Sequence, residues 1–311
     1  MTNILITGGA GFIPSALAEK LAENPENFVV LADNLETGSL DKVPVSGYDN
    51  IRFIKCDVNE WRDISGIFYT WPFDYVFHYA ALVGVKRTLS NPVKVLNDIT
   101  GIKNVLHLSK NTGVKRIFYS SSSEVYGEPV EFPQNEHTTP LNSRLPYAIV
   151  KNVGEAYLRS YKTEYNLNFT IFRFFNTYGP KQSKDFVVSK FIAAALENKD
   201  LTIFGNGLQT RTFCYINDNV DVCINAFLEN KFINDVVNVG GEKETTILEL
   251  AKTIIKVTGS LSRIIHVDPL EEGDMTRRQP DVTKMKQLLN REPVSLEEGI
   301  KKIIDNPAYI L

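Results

Sequence analysis

The chain has 311 residues, 43% of them hydrophobic and 23% charged, with a net charge of −3. That is enough chain for one large α/β domain or two smaller lobes, and it lacks the strongly basic balance of a nucleic-acid-binding protein. No apolar run approaches the ~20 residues needed to cross a bilayer, so the expected partner is a small molecule, with neither nucleic acid nor membrane.

The first stretch, "NILITGG", is strand-like, without a basic cleavable leader, and the cytoplasm is the expected location. It runs into "TGGAGFIPS" (7–15), where glycines at Gly8 and Gly11 precede Pro14 at the position where a third glycine is expected. A glycine turn between a strand and a helix lets the backbone approach a pyrophosphate, whose charge the amides at the helix N-terminus stabilise. Proline lacks an amide proton, but the first helical turn leaves its amide protons without intrahelical acceptors. The proline also biases Ile13 away from helical geometry. The expectation is a helix starting at Pro14 with Ile13 as its cap, and a cofactor bound through Gly11, Phe12 and Ile13.

Further apolar runs follow: "FVVLAD", "IRFIKCD", "DYVFHYA", "RIFYSSS" and "NFTIFRFF". None shows the polar alternation of a half-exposed strand, which is how a parallel sheet covered on both faces reads. Amphipathic segments such as "PSALAEKLAEN" and "YAIVKNVGEAYLRSYKTEYN" separate them, so the fold predicted is α/β, a Rossmann-like doubly wound sheet. Asp33 ends the second strand, 22 residues after Gly11, where a carboxylate accepts both adenosine ribose hydroxyls and repels a 2′-phosphate; NAD is favoured over NADP.

The fifth run continues into "YSSSSEVYG" (119–127), and 25 residues after Ser122 comes Tyr147, with Lys151 at i+4 on the same helical face. Tyrosine titrates near 10 in water, so acting as a base near neutrality needs ~4 kcal/mol of differential stabilisation, which a neighbouring ammonium can supply. After residue 175 the pattern breaks into shorter elements with turn signals in "YGPKQ", "FGNGLQ", "NVGGEK" and "EEGD". The domains expected are 1–175 for NAD and 176–311 as a smaller C-terminal α/β substrate lobe, with segments free to interdigitate. Cys56, Cys214 and Cys223 are too scattered for a metal knuckle, and His78, His107, His137 and His266 form no ligand-spaced pair, so no metal is expected.

In order, "TGGAGFI", "LADNLETG", "FIKCDV", "VFHYAA", "SSSSEVYG", "PYAIVK", "RFFNTYGP", "GNGLQTRTFCYIND", "NVGG" and "RRQPD" make the chain resemble the extended short-chain dehydrogenase/reductase family, in its nucleotide-sugar epimerase, dehydratase and decarboxylase group. The resemblance implies a tightly held NAD, a nucleotide-diphosphate sugar (UDP, GDP or CDP) as substrate, and a homodimer built on two helices per subunit. It implies that Ser122 and Tyr147 bond the sugar's carbon-4 hydroxyl, that Tyr147 takes its proton, and that Lys151 holds the nicotinamide ribose. Asp57 would contact adenine, with Asn34 and Val58 also on the cofactor, while Ala80 and Ala81 would line the nicotinamide pocket. Asn176, Arg211 and Arg277 or Arg278 would meet the diphosphate, a task that suits guanidinium geometry.

Members of the group share oxidation to a 4-keto sugar and differ in the fate of that ketone. Ser123 and Glu124 supply the base of a dehydratase without its acid, so a 4,6-dehydratase is disfavoured. Ser123, Glu124 and Arg144 match the glucuronate decarboxylases, but "AIVKN" after Tyr147 does not. The expected function is therefore a nucleotide-sugar 4-epimerase or net 4-dehydrogenase of surface-polysaccharide sugar biosynthesis, with a UDP-glucuronate decarboxylase as the alternative. An NAD-binding scaffold or redox sensor is the non-enzymatic reading, against which intact Ser122, Tyr147 and Lys151 count.

Overall fold

A computed structural model describes residues 1–128, 130–269 and 277–306; the turn expected at "EEGD" lies outside them. The chain forms two compact units, each discontinuous in sequence: Met1–Val125 with Ser143–Arg173 and Cys223–Val237, and Tyr126–Asn142 with Phe174–Val222 and Asn238–Leu311.

The elements run β1 (Thr2–Thr7), α1 (Phe12–Ala22), β2 (Asn27–Asp33), β3 (Ile51–Lys55), α2 (Trp61–Thr70), β4 (Tyr75–His78), α3 (Val85–Ser90), α4 (Pro92–Leu96), α5 (Asp98–Thr112), β5 (Arg116–Ser122), α6 (Pro146–Tyr165) and β6 (Asn168–Phe174). After these come β7 (Thr177–Tyr178), α7 (Val187–Leu196), β8 (Leu201–Phe204), β9 (Thr210–Thr212), β10 (Cys214–Tyr215), α8 (Ile216–Leu228), β11 (Asp235–Val239), β12 (Glu244–Thr246), α9 (Ile247–Thr258), β13 (Ile264–Val267), α10 (Thr283–Leu289) and α11 (Leu296–Ile304).

The first unit is built on a sheet in the order β11-β6-β5-β4-β1-β2-β3, whose β1–β2, β1–β4, β2–β3 and β4–β5 pairs are all parallel. This is the doubly wound Rossmann order, and it puts the reversal of strand order beside β1, where the glycine turn emerges. Both faces are covered, as the unbroken apolar runs require. On one, Phe77, Phe118 and Phe172 stack across three strands, 4.4 and 6.2 Å between centroids, with Phe227 edge-on to Phe118. On the other, Leu5, Val30, Val76, Ile117, Tyr119 and Ile171 pack with Val105 of α5 and Val150 and Leu158 of α6.

The second unit is assembled from short pairs: β7 with β10 and β8 with β13 in parallel, β9 with β12 antiparallel. Its best-defined helix start is that of α9, where Thr246 and Glu249 form a reciprocal capping box.

The start of α1 corrects one expectation. The helix begins at Phe12, with Gly11 as an extended N-cap (φ −80°, ψ 173°), so Ile13 is helical and not the cap. Pro14 is the third helical residue, where an amide proton would have had no intrahelical acceptor. The first rung is Ser15 N–H to Gly11 C=O at 3.2 Å, and Pro14 itself is buried, so packing outweighs the steric bias on the residue before it.

The β5–α6 contact depends on Gly154. A Cβ there would lie 2.2 Å from Tyr119 Oη and 2.4 Å from its Cζ. Helix propensity alone would make Gly154→Ala stabilising by about 1 kcal/mol. Overpacking against a buried ring reverses the sign, and we expect a net loss of about 1–3 kcal/mol in urea unfolding; a gain in stability contradicts this packing.

Candidate active site

The C-terminal ends of β1, β2 and β4 are tied together around the glycine turn. Thr7 Oγ1 accepts the Tyr79 and Ala80 N–H groups, both at 3.2 Å, and bonds His78 Nδ1 at 2.8 Å. Gly8, at φ +73°, lies so close to this segment that a Cβ would sit 2.8 Å from the Ala80 nitrogen. Ala80 and Ala81 are thereby held beside the turn. Burial pushes the His78 ring down to about 3, so it partners Thr7 as a neutral imidazole.

Asp33 is buried at the end of β2, its Oδ2 accepting the Ala10 N–H at 3.0 Å and its Oδ1 the Leu35 N–H at 2.7 Å. Burial raises its pKa, against the pull of those amides and of Lys42. Asn34 donates to Asp57 Oδ2 at 3.1 Å, and Val58 next to it is buried, so the residues expected at the adenosine end form one cluster. Of the three amides expected to meet phosphate, that of Gly11 is already bonded to Gly8 C=O at 2.8 Å. Those of Phe12 and Ile13, at the first two helical positions, have no intrahelical acceptor. A cradle that excludes any Cβ, a helix N-terminus with open amides and a buried carboxylate after β2 together fit a dinucleotide lacking a 2′-phosphate.

The chemical residues gather where β5 meets α6. Ser122 is the last residue of β5, and its Oγ accepts the Glu124 N–H at 3.2 Å from the 3₁₀ turn Ser123–Tyr126. Tyr147 is half-buried in the first turn of α6, one turn before Lys151, with Arg144 exposed just ahead of the helix. Lys151 is 2% exposed; its Nζ donates to Ser120 C=O at 2.6 Å and lies 5.7 Å from the Tyr147 ring centroid and 5.2 Å from that of Tyr119. Burial pushes its pKa down to about 8, and the Asp98 carboxylate opposes that fall.

In the second unit, Asn176 takes a positive φ of 34° and donates from Nδ2 to Thr212 C=O at 3.0 Å. Arg211 is buried in β9, in register with Thr245 of β12. Arg277 forms a bidentate pair with Glu244 of β12, at 2.5 and 2.7 Å, and its guanidinium lies 4.0 Å from the Phe132 ring centroid. Arg278 is buried. Asn176, Arg211 and Arg277 therefore all attach to the β9–β12 pair.

Sequence reasoning passed over Thr7, Asp98, Glu155 and Arg173. Asp98 Oδ2 accepts the Leu82 N–H at 2.8 Å, just after Ala80 and Ala81. Glu155 and Arg173 form a buried ion pair at 2.7 Å. A signal existed: an arginine inside "FTIFRFF" and a glutamate one turn beyond Lys151 each put a charge where only a partner allows burial.

Comparison with known proteins gives the family. A sequence model of the NAD dependent epimerase/dehydratase family matches residues 4–240. UDP-glucuronic acid decarboxylase 5 of Arabidopsis thaliana is 38% identical over 307 residues, covering 96% of this chain and 87% of that protein. A crystal structure of UDP-glucose 4-epimerase with UDP-glucose, from Thermotoga maritima, superposes with a TM-score of 0.91 at 33% identity, covering 99% of both chains. A UDP-glucuronic acid 4-epimerase from Bacillus cereus, solved with UDP-glucuronic acid and NAD, gives 0.88 at 30% identity, again over 99% of both. The chain belongs to the NAD-dependent epimerase/dehydratase family, the nucleotide-sugar group of the extended short-chain dehydrogenases/reductases.

Proposed function

We propose that the protein is a UDP-sugar 4-epimerase: it oxidises the carbon-4 hydroxyl of a UDP-linked sugar to a ketone, which turns over in the pocket and is reduced on its other face. The observation that carries this reading is the placement of Tyr147 and Lys151 on one face of α6, with Lys151 bonded to the β5 backbone two residues before Ser122. Bound NAD supplies the acceptor and later the donor of the hydride on carbon 4. Ser122, whose oxygen accepts from Glu124, keeps its own proton to donate to the sugar oxygen. Tyr147 removes the hydroxyl proton and returns it to the alkoxide after the reverse transfer. Lys151 holds positive charge beside the Tyr147 ring, which favours the phenolate; at 2% exposure little water screens it. Arg211, Asn176 and Arg278 hold the diphosphate, while Arg277 braces β12, the partner of the strand that carries Arg211 and accepts from Asn176.

Decarboxylation of a UDP-uronic acid is the second reading. It is favoured by Glu124 in the turn after Ser122, by Arg144 ahead of Tyr147, and by the likeness to a UDP-glucuronic acid decarboxylase. We further propose that the enzyme is a cytoplasmic homodimer. The cysteines are free and buried, as a reducing compartment allows, and α6 leaves Ile149 and Tyr165 39% and 47% exposed on a helix that packs with α5. No helix among the described residues is long and apolar enough to cross a membrane. Light scattering with size-exclusion chromatography checks the dimer; a monomeric mass at micromolar concentration rules it out.

UDP-glucose, UDP-N-acetylglucosamine and UDP-glucuronate, followed by product mass and by absorbance of the reduced cofactor, separate the two readings. Unchanged mass with inverted carbon 4 is expected, and loss of carbon dioxide from UDP-glucuronate would replace epimerisation with decarboxylation. Tyr147→Phe should lower the rate of cofactor reduction by about 10²–10⁴-fold with little change in nucleotide-sugar affinity. Near-normal turnover in that variant would remove tyrosine from the chemistry.

The pH profile is set by Lys151. Its folded pKa of about 8 lies below the usual 10.5, so the ammonium that supports the Tyr147 phenolate is lost as pH rises through about 8. Turnover should fall on that alkaline limb. The same shift makes the buried ammonium a burden on stability at neutral pH that eases as pH rises from about 8 towards 10.5, because there the unfolded chain binds the extra proton. Lys151→Met should thus be more stable than the parent at neutral pH, by a margin that shrinks above pH ~8, and a margin independent of pH contradicts the assignment.

A further inference from the structure

Two consecutive residues of β5 meet α6 through polar bonds one helical turn apart. Ser120 C=O accepts from Lys151 Nζ at 2.6 Å, and Ser121 Oγ donates to Glu155 Oε1 at 2.7 Å. The next residue is Ser122. Tyr147, Lys151 and Glu155 are spaced four apart and share one face of the helix. Glu155 is fully buried, and Arg173 of β6 grips it from behind, Nε to Oε1 at 2.9 Å and Nη2 to Oε2 at 2.7 Å, with Arg159 adding 3.1 Å from the rim. Its pKa is lowered despite burial, because the Arg173 bonds and charge, the Ser121 hydroxyl and Arg159 favour the ionised form.

We propose that Glu155, held by Arg173, is a positioning residue: it sets the register of α6 against β5 and so the placement of Tyr147 beside Ser122. The proposal rests on the reading of Ser122, Tyr147 and Lys151 as the reacting set.

A buried ion pair is a poor device for stability alone, since well-packed apolar residues of similar volume commonly serve as well or better. It differs from them in direction. Of the other buried residues along α6, Ala148, Val150 and Leu158 offer only non-directional apolar contacts, Gly154 offers close approach to Tyr119, and Lys151 makes a single bond, to Ser120. One residue of helix rise is 1.5 Å, and misplacing a reacting group by ~1 Å is enough to cost about 100-fold in rate. The Ser121–Glu155–Arg173 bonds lock the position one strand residue away from Ser122, where such a slide would matter most.

Two variants test this, with UDP-glucose and UDP-glucuronate as probes and with kcat, KM, the single-turnover rate of cofactor reduction and Tm all measured. Ser121→Ala cuts the bond between strand and helix while leaving the ion pair intact. The double variant Glu155→Leu/Arg173→Met replaces the pair by apolar residues of similar volume. The expected results are a kcat lowered about tenfold in Ser121→Ala and about 100-fold in the double variant, with KM within about twofold and the double variant's Tm at or above the parent's. A double variant with parental Tm and kcat within about threefold of the parent would show that the pair is only structural and overturn the proposal. Should the double variant fail to fold, Ser121→Ala decides, and a kcat within about twofold of the parent overturns the proposal. Tyr147→Phe is run alongside. If it turns over normally, the reading of the reacting set fails and the proposal with it, whereas an inactive Tyr147→Phe beside a fully active double variant sinks the proposal alone.

Discussion

The burial of charge on one face of α6 is the constraint around which the first unit is arranged. Lys151 and Glu155 are both removed from water, and an isolated buried charge is far too costly to persist. Each therefore dictates where its partners stand. Lys151 requires the Ser120 carbonyl and faces the Tyr119 and Tyr147 rings; Glu155 requires Ser121 and Arg173. Because those partners lie on β5 and β6, satisfying them joins helix, strand and neighbouring strand in one register. Lys151 is left half-satisfied, with one short hydrogen bond and a pKa pushed down to about 8 by burial, which is the kind of perturbation expected of a group that takes part in chemistry.

The same economy of polar groups holds the cofactor end together. Thr7 serves two backbone amides and a histidine, and Asp33 serves two backbone amides with carboxylate lone pairs to spare. Gly8 lets the β1 and β4 ends approach closely enough for Thr7 to reach. Pro14 fits because the bond it cannot make is one that no residue at that helical position makes, and its ring is buried. The turn thus keeps a close backbone approach at Gly8, and the amides of Phe12 and Ile13 have no acceptor within the helix.

In the second unit, arginines that look equivalent in sequence have different employment. Arg277 is neutralised by Glu244 and stacked on Phe132, while Arg211 and Arg278 are buried. A guanidinium already gripped by a bidentate carboxylate has fewer donors to offer a diphosphate.

By itself the sequence determined the layer architecture, because a sheet covered on both faces leaves an unmistakable run of apolar residues in each strand, and six such runs became β1 to β6. It also determined the candidate reacting set, since Tyr147 and Lys151 at helical spacing and Ser122 at a strand end need only local geometry to be recognised. Tertiary structure alone decided the partners of the buried charges. Glu155 and Arg173 are 18 residues apart and Thr7 and His78 are 71 apart, and no periodicity links such positions. Tertiary structure also moved the start of α1 from Pro14 to Phe12, because the local steric bias of a proline is smaller than the gain from burying its ring and completing a first rung at Gly11. Local signals report what a segment prefers in isolation; where polar groups must be satisfied away from water, the fold has the final choice.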